Sequence, residues 1–217
     1  VGSRSVAVGT AALSTQNPAT ATDMYNVAVG DDAGKQITTG VRNTLIGGLA
    51  GDALEDSGSN VAIGYDSMGA NTSGSDNVAV GRATLASFNV TTTTSTYNTA
   101  VGHQAGNAVT TGIFNTIIGG LAGDALTDAD YNVAVGKSAL TTETLGSRST
   151  AIGTSALSNQ NNTTATDVYN TAVGFEAGGS VTTGVQNTLI GAQVGDALTD
   201  ADFNTAIGYL ALSTDTL

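Results

Sequence analysis

Along this chain polar and apolar positions alternate in one short phrase that keeps returning: Asn or Ser, then Val or Thr, then Ala, Leu or Ile, then Val or Ile, then Gly. The phrase occurs twelve times, beginning at Ser5, Asn26, Asn43, Asn60, Asn77, Asn98, Asn115, Asn132, Ser149, Asn170, Asn187 and Asn204. β-Branched residues at its second and fourth positions favour an extended backbone, so each copy predicts a short strand. Alternation sets positions two and four on one face and position three on the other. Position three is Ala in nine copies and Leu45, Ile117 or Leu189 in the rest, so both faces are apolar and both are expected to be buried. One face can pack inside the chain's own coil, and the other calls for a further partner.

The spacing of the phrase supplies the architecture. Successive copies lie 21, 17, 17 and 17 residues apart, and the pattern repeats, so a 17-residue unit extended by four residues in every fourth copy builds a super-repeat of 72. Gly-Asp-Ala-Leu at 51–54, 123–126 and 195–198 and Thr-Thr-Gly at 38–40, 110–112 and 182–184 keep the same register. The chain is one repeat rod over residues 1–217 with super-repeats 5–76, 77–148 and 149–217, expected to be cut in register from a longer array. Seventeen residues suit two or three short strands per turn, which predicts an all-β parallel solenoid, or β-roll, of 12 short coils stacked about 4.8 Å apart.

Glycine closes every phrase, at Gly9, Gly30, Gly47, Gly64, Gly81, Gly102, Gly119, Gly136, Gly153, Gly174, Gly191 and Gly208, and a glycine at a fixed offset indicates a turn with positive φ or a close backbone approach. Ten of the twelve first positions are Asn: Asn26, Asn43, Asn60, Asn77, Asn98, Asn115, Asn132, Asn170, Asn187 and Asn204. Stacked along a rod, their amides can bond in a ladder that offsets their burial. Three residues after the glycine stands Ala in nine coils and Ser67, Thr84 or Val194 in the others, a slot expected to point inward. The slot after the glycine accepts Asp31, Tyr65, Arg82, His103, Lys137 and Phe175 alike, which marks it as solvent-facing. Tyr25, Tyr97, Phe114, Tyr131, Tyr169 and Phe203 each precede a first position, a corner slot suited to packing between chains more than to stacking sugars.

Composition narrows the function. Six basic residues against 18 acidic ones leave a net charge of −12, which repels nucleic acid and anionic lipid, and no apolar run is long enough to insert in a membrane. With no Cys there is no disulfide framework or thiolate metal site. His103, the only histidine, is expected to be a surface residue, and no residue is expected to be catalytic or to hold a cofactor or metal.

At this level of detail a resemblance emerges. Asn98-Thr-Ala-Val-Gly-His-Gln-Ala-Gly and Asn170-Thr-Ala-Val-Gly-Phe-Glu-Ala-Gly resemble the Asn-Thr-Ala-x-Gly-x-x-Ala repeats of trimeric phage tail fibres. The form Ser5-Val-Ala-Val-Gly is similar to the head repeat of YadA-like trimeric autotransporter adhesins, although the adhesin coil is nearer 14 residues. The resemblance implies a left-handed β-roll intertwined as a homotrimer whose axis would cover position three. It further implies a structural shaft or receptor-contacting segment of an extracellular fibre, on a virion tail for host attachment, with a cell-surface glycan or protein as receptor. A bacterial adhesin or giant surface filament is the alternative.

Other functions fit less well. A left-handed-helix acyltransferase uses three hexapeptides per turn, and the aliphatic-Gly-x-x-small unit appears here once per coil. Asp124, Asp128 and Asp130, repeated as Asp196, Asp200 and Asp202, could gather calcium but lack the nonapeptide pattern of calcium-binding β-rolls. A polysaccharide hydrolase would need an aromatic-walled groove, and there is no Trp. An ice-binding face would need an unmixed Thr ladder, whereas position two mixes Val with Thr and is expected to be buried. The four-residue extensions, Thr91 to Thr94 and the matching Gln16 to Ala21 and Gln160 to Ala165, are expected to bulge from the rod and make contacts.

Overall fold

The computed structural model describes residues 2–214. Each phrase forms a three-residue strand, from Val6–Val8 and Val27–Val29 through to Thr205–Ile207, and the twelve strands pair in parallel, in chain order, as one sheet. The register is level throughout: Thr116 pairs with Val133, Ile117 with Ala134 and Ile118 with Val135. The chain is therefore an all-β parallel solenoid of 12 turns, with no helix among the described residues. At about 4.8 Å per coil the rod is on the order of 55 Å long.

Two columns hold one coil on the next. The first-position side chains from Asn26 to Asn187 are buried, and most of the Asn work in two directions: Asn115 Nδ2 donates to the carbonyl of Ala129 across its own coil (2.8 Å), and Asn115 Oδ1 accepts the backbone N–H of Asn132 in the next (2.9 Å), while Asn77, which opens the extended coil of the second super-repeat, turns its Nδ2 to the carbonyl of Ser75. Direct amide-to-amide bonds are fewer and longer, as from Asn115 Nδ2 to Asn98 Oδ1 at 3.3 Å. The ladder is thus mainly side chain to backbone. The closing glycines form the second column, with φ between 127° and 144°. A Cβ on Gly102 would stand 2.5 Å from the carbonyl oxygen of Gly119, so the column excludes side chains by contact as well as by conformation.

Three further positions per coil adopt a left-handed backbone without requiring glycine. They are the residue before the first position, such as Tyr131 (φ 59°), and the second and fourth after the closing glycine, such as Ser138 (55°) and Leu140 (55°). None of these three columns holds Val, Ile or Thr in any coil, as the steric penalty on β-branched residues at positive φ demands.

Inside the coil, position three meets the small residue that follows the turn, and Ala28, Ala33, Ala134 and Ala139 are all fully buried. Volume is balanced between levels. Leu45, the large position-three residue of the first super-repeat, fills space left by two glycines: a Cβ on Gly34 would lie 2.6 Å from Leu45 Cδ1, and one on Gly51 2.9 Å from Leu45 Cδ2. Leu189 sits likewise between Gly178 and Gly195. Where those glycines give way to Met68, Leu85, Leu140 or Leu157, position three reverts to Ala. The 72-residue period is the period of this exchange.

The Ser coils are balanced in another way. Ser5 donates to Gln16 Oε1 (3.2 Å), and Asn26 Nδ2 donates to the same oxygen (3.1 Å), so a glutamine supplies the reach that the serine lacks. Gln160 also bridges Ser149 and Asn170, but its Nε2 donates to Ser149 Oγ (3.0 Å) while its Oε1 accepts from Asn170 Nδ2 (2.8 Å). In the extended coils Pro18, Val90 and Asn162 turn inward while 19–21, 91–93 and 163–165 stand exposed. The loop of the second reaches back along the rod, with Thr93 donating to Asp56 Oδ2 at 3.0 Å.

Replacing Asn132 by Ala strands the backbone N–H of Ser149 and the carbonyl of Gly146. It is expected to cost about 2–4 kcal/mol in urea unfolding, against less than about 0.5 for an exposed control such as Thr92→Ala.

Candidate interaction surface

The structure reverses the expected assignment of the strand faces. Position three needs no partner chain, because it is enclosed within its own coil: Ala100, Ile117 and Ala134 are all fully buried. Positions two and four look outward. Ile118 is 40% exposed and Ile46, Ile152 and Ile190 are 38–39%, so Ile118, expected inside, belongs to the outer face of the sheet. Both faces are apolar, and alternation alone does not say which is inside. Coil volume decides: a column of Ala with an occasional Leu fits the narrow interior, whereas a continuous column of Val and Ile does not.

The outer face is therefore a flat strip with Val or Thr at position two and Val or Ile at position four, unbroken over twelve strands. No charged residue interrupts these two columns. An apolar, edge-to-edge strip of this kind is what a partner covers in most proteins. Its exposure removes one of the two arguments against an ice-binding face, and the mixture of Val and Thr at position two remains the other.

Two columns border the strip. On the side where the chain enters the strand, Tyr97, Phe114 and Tyr131 stack with centroids 5.7 and 4.9 Å apart and planes within 17° and 10° of parallel. Arg148 continues the column, its guanidinium 4.7 Å from the Tyr131 centroid and 5.9 Å from that of Tyr169, while its Nε donates to Asp167 (2.9 Å). Arg4, Tyr25 and Asp23 repeat the arrangement in the first coil. The rings are exposed, yet they spend their faces on one another, so a sugar ring would find mainly edges and hydroxyls. On the exit side stand Tyr65, Phe175 and Tyr209, exposed, with Arg82 donating to His103 Nε2 at 2.9 Å.

The acidic residues singled out in the sequence do not converge. Asp124 accepts from Thr141, Asp128 from Thr111, Asp130 from the Ile113 amide, and Asp202 from the Val185 amide. Among the described residues no three His, Cys, Asp or Glu side chains gather as a metal site would need. Burial raises the pKa of Asp130, with the Ile113 N–H opposing it. Asp52 is raised chiefly by burial, and the neighbouring carboxylates of Asp66 and Asp32 add to the effect. A polar hollow of about 310 Å³ lies between Ser155, Asn159, Glu176, Ser180 and Asp196, where Asp196 Oδ1 is buried without a hydrogen bond.

Glu143 was not singled out from the sequence. It is fully buried, and six N–H groups surround its carboxylate: the amides of Thr144, Leu145, Gly146 and Asn162 on Oε1, and Gln160 Nε2 and Asn162 Nδ2 on Oε2. Asn71 holds the same place one super-repeat earlier and bonds both ways to the backbone of Gly74. Glu143 is a structural clamp at the junction with an extended coil.

Comparison with protein-family models, with curated proteins and with solved structures finds no match to this chain. No helix among the described residues is long and apolar enough to cross a membrane.

Because burial holds the Asp52 pKa above its ordinary value, the ionised carboxylate works against folding at neutral pH and the protonated one does not. Asp52→Asn is expected to raise the melting temperature at pH 7, with the gain shrinking as pH falls through the raised pKa and vanishing below the unfolded value of 3.8. Thermal melts of the two proteins from pH 3 to 8 check this.

Proposed function

We propose that this chain is a rod segment of an extracellular fibre in which three copies associate through the outer face of the sheet, as a structural shaft or receptor-contacting segment. The observation that carries the proposal is the exposed strip itself. A Val/Ile column running the full length of a narrow rod is one continuous apolar surface without a charge in it, and identical rods set side by side cover it all at once. Its stacked repeats suit a stiff spacer.

The phage tail-fibre repeats that the sequence resembles favour a virion fibre for host attachment. The Ser5-Val-Ala-Val-Gly form keeps a bacterial surface adhesin as the second reading. In either setting the exposed loops at 19–21, 91–93 and 163–165 recur every four coils along the rod and in every copy, so weak contacts to a surface glycan or protein add by avidity.

Light scattering checks the assembly: the expected mass is three times 21.3 kDa, and a stable monomer overturns it. Two neighbouring substitutions separate fold from assembly. Ile117→Asp buries a charge inside the coil and is expected to unfold the rod, whereas Ile118→Asp faces outward and is expected to leave a folded monomer, read by circular dichroism and mass together. Equal effects of the two would contradict the assignment of the faces.

A further inference from the structure

Resting on that reading, we infer how the copies meet: side by side and in register, with the entry edge of each strip against the exit edge of its neighbour at the same coil level. The strip alone is too small. Three residues wide at about 3.3 Å each and on the order of 55 Å long, it projects on the order of 550 Å², short of the roughly 800 Å² per partner of a stable interface. The bordering columns must join the contact.

Symmetry fixes which border meets which. Any closed ring about an axis along the rods turns one subunit's entry edge toward the next subunit's exit edge, and closure without translation keeps the levels equal. An antiparallel pair would instead set entry edge against entry edge, and a staggered one would grow into an open filament.

The two columns fit each other at equal level. In the fifth coil Asp76 stands on the entry edge and Arg82 on the exit edge, and neither has an ion-pair partner in its own chain among the described residues. This is the one level where both edges carry charge, and the charges are opposite. In the eighth coil Tyr131 faces Lys137, a cation against a ring. In the seventh, Phe114, the central ring of the aromatic stack, faces Gly120, which has open space where a side chain would be.

The native chain has no Cys, so disulfide trapping starts from a blank background. The double variant Asp76→Cys with Arg82→Cys, mildly oxidised, is expected to give a covalently closed trimer on a non-reducing gel, because every chain carries both edges. The staggered pair Asp76→Cys with His103→Cys is expected to stay monomeric on the same gel. Capture of the staggered pair in place of the level one, or a ladder of open oligomers, overturns the inference.

A charge exchange reads the same contact without Cys. Asp76→Arg is expected to weaken trimer association about tenfold, with three such contacts per trimer, and adding Arg82→Asp to restore it. Additive effects in a protein whose wild type is trimeric overturn the pairing alone. A monomeric wild type overturns the fibre reading and the pairing together. A closed covalent dimer overturns the three-copy reading and leaves the edge pairing standing.

Discussion

Everything in this rod depends on a carbonyl and an amide meeting across 17 residues. Asn Nδ2 closes its own coil on a carbonyl fourteen residues on, while Oδ1 of the same side chain receives the amide of the next coil. Closure and stacking are thus one event. A shorter side chain cannot do both, which is why the two Ser coils recruit Gln16 and Gln160. An interior shared with these amides takes Ala and aliphatic side chains in the main, and the scarcity of aromatics follows. Phe88, the one large ring inside, lies in a place that Gln fills in the other two super-repeats.

Stacking at one strand spacing also forces the volume exchange between levels. Position three cannot carry Leu at every step, because each Leu there fills space in its own coil and in the one before. Leu45 between Gly34 and Gly51 shows the solution: bulk is passed from one column to another so that every cross-section holds a similar volume. The super-repeat is therefore a packing unit four coils deep.

The strands, the periods, the parallel stacking and the small inward residue after the turn were all legible in the sequence, because each repeats twelve times and chance does not. Which face lies inside was not, since Ala and Val are both apolar and period-two alternation is symmetric. The decisive information was volume, visible in Ala as the usual residue at position three against a constant Val or Ile at position four. The left-handed columns also leave a trace in the sequence, three positions from which Val, Ile and Thr are missing in a chain rich in them. Glu143 was opaque for a different reason. Its column holds Asn71, Phe88 and Ile37 elsewhere, so no pattern marked a buried acid, and only the six surrounding N–H groups reveal it.

The direction of the hydrogen bonds has a mechanical consequence. They run along the rod, so tension between its ends peels the outermost turn from the stack instead of shearing the whole sheet. Each turn occupies about 4.8 Å of rod but, once freed, spans about 56–61 Å of extended chain. Roughly a twelvefold reserve of length is stored in steps, and each step breaks only one coil's ladder before the next intact coil takes up the strain.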